Sequence, residues 1–183
     1  ASDQIASLTT AQVASLTTAQ MAGLETADLQ ALTTDQFKVL SSAQVAALGT
    51  DQLAAIETAD LKQLSTAALR GIASENIDAL TTDQIQALGT QQFAGLSTQQ
   101  IGGLSTDQIA ALTTADLRAL STAQLRALST DQLNALSSDQ VQQLTTAQVA
   151  SLSSSQVGGM ETADLIALGT DQIKVLSSQQ IAA

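Results

Sequence analysis

The hydrophobic positions of this chain recur with a period of eight and never slip. Apolar residues stand at alternating intervals of three and five, as in Ile5, Leu8, Val13, Leu16, Met21 and Leu24, and the spacing runs without insertion or deletion from Ala1 to Ala183. The chain therefore reads as one array: twenty-two complete octads over 1–176 and a seven-residue remainder over 177–183. With each octad numbered one to eight, position five is always apolar, from Ile5 and Val13 through Phe37 and Phe93 to Ile181. Position eight is Leu apart from Ile56, Ile72 and Met160. These two columns are the candidate core. Phe37 and Phe93 occupy the ordinary core column, which makes them bulkier fillers rather than a ligand box.

The polar columns predict one short helix per octad. Position two is Ser or Thr in every octad, from Ser2 and Thr10 to Thr170 and Ser178, whereas position one also admits Gly49, Glu57 and Ala73. Position two is thus the favoured helix cap, with Asp or Gln following in the first turn, where the helix dipole prefers negative charge. If position one is the cap instead, Ser/Thr followed three residues later by Gln forms a capping box, and the preceding Leu meets the residue at position five as a hydrophobic staple. Position four is mostly Gln, replaced by Asp28, Asp60, Asp116 and Asp164 where position three is Ala. All six basic residues, Lys38, Lys62, Arg70, Arg118, Arg126 and Lys174, fall at position six, which is read as facing water. Position seven is usually Ala, Ser or Gly, as at Gly95, Gly103 and Gly159, so the next coil or the turn itself approaches the backbone there.

An eight-residue period also sets the higher order. A straight helix turns once per ~3.6 residues, so its apolar stripe would rotate by roughly 80° per octad, and a single long helix cannot bury this pattern. The expectation is an all-α solenoid in which each octad is a separate capped helix and the helices coil into a right-handed superhelix. Helices this short are unstable alone, so stability must come from packing between coils. A β-solenoid is the alternative, disfavoured because segments such as Ala110-Ala111-Leu112 lack two-residue alternation. TTAQVASL at Thr9 recurs at Thr145, seventeen octads on, and GTDQLAAIETADLKQL at Gly49 returns as STDQIAALTTADLRAL at Ser105, seven octads on. Both offsets are odd, which makes one octad the structural step.

Composition narrows the function. Hydrophobic residues reach 44% but aromatics only 1%, a poor supply for a conventional globular core. A formal charge of −11 repels phosphate backbones, so nucleic acid is not an expected partner. The chain has no Cys and no His, which removes disulfides, thiolate metal sites and the commonest general base. No apolar run approaches the ~18 residues of a membrane span. Hydroxyls without His and single acids at repeated, equivalent positions supply no catalytic site and no small-molecule substrate site, and no cofactor is expected. Asp28 with Asp60, or Asp51 with Asp107, could align along the coil as calcium ligands, but their simpler reading is complementing helix N-termini. The rows of Ser and Thr could adsorb to ice or polysaccharide, though capping accounts for them.

Segments such as Leu80-Thr81-Thr82-Asp83-Gln84-Ile85 resemble the octapeptide-repeat stretches of very long bacterial secreted and surface proteins, a likeness that spans the chain. The same segment resembles the helix-opening LTPEQVVAI of TAL-effector DNA-binding repeats. Unit length, acidity and the missing proline depart from that family, so only the helix-start chemistry carries over. The resemblance implies a structural spacer, stalk or scaffold in a larger bacterial extracellular polypeptide, with flanking domains as partners. The alternative is a binding module that uses a regular solenoid face for a peptide, glycan or ice surface. Because the chain begins in register with its own repeat and without Met, it is expected to be a piece of a longer array whose exposed ends favour end-to-end self-association.

Overall fold

A five-residue helix is almost entirely ends: its first amides and last carbonyls have no partner within the helix, and each needs one from elsewhere. The octads meet this need in the same way along the chain, as a computed structural model describing residues 2–183 shows; Ala1 lies outside the described residues. Each octad forms one helix of four to six residues, such as Thr10–Ala14, Thr34–Phe37 and Thr82–Ala87, and no strand occurs among the described residues. The exception is the octad at 73–80, which forms a 3₁₀ turn, Ile77–Ala79. The fold is a helical solenoid, as the period implies.

The cap, however, is position one rather than the favoured position two. Thr9 has the extended backbone of an N-cap, φ −71 and ψ 157, and its side chain accepts from the Gln12 amide at 3.2 Å. Gln12 Oε1 in return accepts the Thr9 amide at 2.8 Å. The capping box is therefore the organising motif, because only a cap at position one sets Gln at the third helical residue, where its side chain folds back. Glycine is tolerated at the cap for the same reason: the amides of Gly49, Gly89 and Gly169 still donate to the Gln three residues on, at 2.8, 3.0 and 2.7 Å.

The chain divides into two compact units, Ala1–Leu96 and Ser97–Ala183. In the first, each helix packs against the third one along, Thr26–Gln30 against Thr50–Ala55 and Ser42–Ala46 against Thr66–Leu69. In the second, Thr122–Arg126 packs against Thr146–Ser151 and Ser154–Gly158 against Ser178–Ile181. Inside both, the position-four Gln also reaches back one layer. Gln44 Nε2 donates to the Val13 and Leu16 carbonyls at 2.8 and 3.0 Å, and Gln148 Nε2 to those of Leu117 and Leu120 at 2.7 and 2.8 Å. Acceptors 28 and 31 residues earlier place successive layers about three and a half octads apart.

The core consists of positions five and eight, as expected, including fully buried Phe37 and Phe93. The layer below accounts for the small residue at position seven. A Cβ added at Gly95 would lie 3.0 Å from the Thr66 methyl, one at Gly159 would lie 2.6 Å from that of Thr130, and one at Gly71 would overlap the Ser42 carbonyl. Position two thus lies under position seven of the next layer. Position six is exposed at all six basic residues, yet it also stitches layers: Arg70 Nε donates to the Gly95 carbonyl at 2.6 Å and Asn134 Nδ2 to that of Gly159 at 2.9 Å, each 25 residues ahead.

The ladder yields a stability contrast. Gln148→Leu removes a buried side chain that closes a cap and meets two carbonyls, and should cost about 2–4 kcal/mol, because buried backbone groups are left unpaired. Gln12→Leu, at an exposed position that serves the cap alone, should cost about 1 kcal/mol. Chemical denaturation of the two variants measures both; equal losses would show that the layer-to-layer bonds contribute nothing.

Candidate functional site

The chemically distinctive surface of this protein is the seam between layers, where position-four side chains meet backbone carbonyls. In the first unit Gln36, Gln44, Gln52, Gln84 and Gln92 form it. In the second it is formed by Gln132, Gln140, Gln148, Gln156, Gln172 and Gln180. Most of these are buried. The amide suits the place because it carries an acceptor for the cap and two donors for the layer below. Sequence reasoning identified the Gln column and its capping role but missed this second role, whose only signal is that a residue in a polar first turn is so rarely anything other than Gln.

Departures from Gln mark where the seam is incomplete. Asp60 is buried but has no N–H to donate, and the Leu32 carbonyl, 28 residues before it in the column that Gln otherwise serves, accepts no hydrogen bond among the described residues. Burial, and next the neighbouring Glu57 carboxylate, push the Asp60 carboxyl above its ordinary range. Asp164 accepts from the Ser138 hydroxyl of the preceding layer at 3.3 Å, and Asp116 from the Thr113 hydroxyl at 2.5 Å. Glu25, Glu57 and Glu161, which precede Asp at position four, make no side-chain cap. At Ala68 only the Ser65 hydroxyl closes the cap, at 3.0 Å. Asn76, with Ala73 before it, starts the 3₁₀ turn in place of a helix.

The acids considered as calcium ligands lie in unlike surroundings. Asp51 and Asp107 are exposed in the first turns of their helices, Asp28 is half-buried and Asp60 buried in the seam column. No group of three or more metal-ligating side chains occurs among the described residues. Two exposed acids pair locally instead: Lys38 Nζ lies 2.7 Å from Asp35 Oδ1 and Lys174 Nζ 3.3 Å from Asp171 Oδ1. The hydrogen bond from Lys38, and next its charge, lowers the Asp35 pKa. Of the Ser and Thr rows, position one is consumed by capping, while position two is largely exposed. An open polar hollow lined by Glu25, Thr26, Gly49, Thr50 and Asp51 lies beside one such stretch.

Asp60→Gln should repair the seam by returning a donor to the Leu32 carbonyl, for a gain of about 1 kcal/mol at neutral pH. An acid whose folded pKa is raised opposes folding above its unfolded pKa, and that penalty disappears as the pH falls below it. The advantage of the variant, read from thermal melts across a pH series, should therefore shrink on acidification. An advantage that grew at low pH would show that Asp60 is stabilising as the carboxylate.

No curated protein matches the chain. A family model, described as the ALTTAQ repeat, matches residues 21–55, 53–90, 85–114, 110–146 and 157–183. No helix among the described residues is long and apolar enough to cross a membrane. With the repeat model covering most of its length, and with a capping box and a back-reaching Gln in octad after octad, the chain belongs to the ALTTAQ repeat family.

Proposed function

We propose that this structural repeat array serves as a rigid spacer or scaffold segment, coiled as a right-handed superhelix, within a larger bacterial surface or secreted polypeptide and without catalytic activity. The observation that carries the reading is the uniformity of the contacts. Each octad spends its Gln, its core pair and its small residue on the adjacent layers, and the departures at Ala68, Asn76 and the Asp positions weaken the seam without assembling a reactive group. What remains for solvent is a polar exterior of positions two, three and six with a formal charge of −11, which keeps a long array hydrated and apart from other polyanions.

A spacer of this kind is defined by length per octad. Helices pack at about 8–10 Å, so inserting seven octads, two layers of 28 residues, should lengthen the particle by about 16–20 Å while its cross-section stays constant. Small-angle scattering on arrays of different octad number measures both quantities. Removing the single octad 105–112 should leave the fold intact, whereas removing four residues from it should unfold the octads after it, because every later core residue leaves register. An array that grew in cross-section instead of length, or one unfolded by loss of any one octad, would overturn the spacer reading.

A further inference from the structure

Position four departs from Gln singly at Asp28, Asp116 and Asp164, but in three successive octads over 57–80, at Asp60, Ala68 and Asn76. Three octads are nearly a whole layer, so one junction of the coil, inside the first compact unit, lacks its Gln ladder. The carbonyls of Leu32, Leu40 and Leu48, each 28 residues before one of these positions, accept no hydrogen bond among the described residues. Rungs bracket the gap on both sides. Gln52 Nε2 donates to the Leu24 carbonyl at 2.8 Å, and Gln84 Nε2 to that of Ile56 at 2.7 Å.

The position-six stitch is missing at the same junction. Just before it, Gln30 Nε2 reaches the Ala55 carbonyl 25 residues ahead, at 3.2 Å. Lys38 instead turns to Asp35 of its own octad at 2.7 Å, and the side chains of Ala46 and Ala54 have no group to donate. The face above octads 57–80 is bonded: Gln92 Nε2 donates to the Leu64 carbonyl at 2.7 Å, and Arg70 Nε to that of Gly95 at 2.6 Å. Apolar packing continues through the junction, with Leu61, Leu69 and Ile77 fully buried, and the Gly71 backbone lies so near the Ser42 carbonyl that a Cβ would overlap it. This junction thus closes on packing where its neighbours close on packing and rungs.

We propose that the junction beneath octads 57–80 is a built-in parting plane, at which this stretch of coil lifts from the layer below and recloses while the laddered layers stay joined. Opening costs least here on two counts. No Gln rung has to break, and three carbonyls of buried residues that lack a donor in the closed state gain access to water. The opening unit is bounded by the rungs of Gln52 and Gln84, so a load or a fluctuation along the array is relieved in about one layer instead of spreading through the coil. This goes beyond the spacer reading and does not depend on it, because the length added per octad is the same whether or not one junction yields first.

Native-state hydrogen exchange, resolved by mass spectrometry, tests this on the whole chain and two variants. The reference is octads 129–152, whose Gln132, Gln140 and Gln148 all reach the layer below. The amides of Leu61, Leu69 and Ile72 are hydrogen-bonded just as those of Leu133, Val141 and Leu144 are, yet they should exchange faster by roughly tenfold or more, the effect of missing bonds of this kind. Ala68→Gln with Asn76→Gln restores two donors and should slow exchange over 57–80 by about the same factor, leaving 129–152 unchanged. Gln140→Ala with Gln148→Ala removes two rungs elsewhere and should bring early exchange to octads 137–152. Circular dichroism checks that both variants remain helical. A whole chain in which 57–80 and 129–152 exchange alike overturns the proposal, whatever the variants do. So does a helical repaired variant whose octads 57–80 exchange as fast as before, or a helical Gln140→Ala, Gln148→Ala variant with no new early exchange, because the rungs would then not decide where the coil opens.

Discussion

The structure depends on how an array of helices too short to satisfy their own backbones disposes of the leftover groups. A long helix hides its unpaired amides and carbonyls at two ends, but here an end recurs every eight residues, and water cannot reach the ends that lie between layers. The position-four Gln answers with one side chain: its oxygen takes the amide that opens its own helix, and its nitrogen gives to the carbonyls that close a helix one layer below, as in Gln84 with Thr81, Leu53 and Ile56. Because a single amide must span both sites, it also fixes the layer offset at 28 residues. A buried Gln would ordinarily be a liability. In this fold its burial joins one layer to the next.

Directionality follows from that geometry. The position-four Gln reaches only toward earlier layers, so a layer has a front and a back that differ in chemistry. The departures measure how much loss the seam tolerates. Ala68 and Asn76 stand in consecutive octads and neither extends a Gln side chain, yet the neighbouring Leu69, Ile72 and Ile77 remain buried. The cost appears as the shortening of one helix to a 3₁₀ turn at Ile77–Ala79, and the core continues past it. A layered array permits this because each octad depends only on the octads of the adjacent layers.

This economy bears on function. Enzymes and ligand sites depend on unique positions, where a few residues are held against their individual preferences. Here the residues that break the pattern, Asp60 and its equivalents, Ala68 and Asn76, are dispersed along the seam, and the acids on the exterior are exposed or paired with a lysine one turn away. The repeat family to which the chain belongs is matched by this same regular pattern over most of its length.

Much of the fold was legible from local pattern. The columns at positions five and eight identified the core, the eight-residue period excluded a single long helix, and Lys38 or Arg118 at position six marked the exposed face, because burial of these residue types follows the repeat directly. The small residue at position seven correctly signalled a close approach. The cap was misplaced by one residue: invariance of Ser/Thr at position two suggested capping, whereas Thr10 and its equivalents are the first helical residues and position one, despite its Gly and Glu, is the cap. Only the tertiary structure decided that the same Gln that completes the box must also reach the carbonyls of another layer and that Thr66 lies beneath Gly95. These depend on how many octads complete one layer, a quantity set by packing between segments about 28 residues apart, and no local preference within an octad encodes that distance.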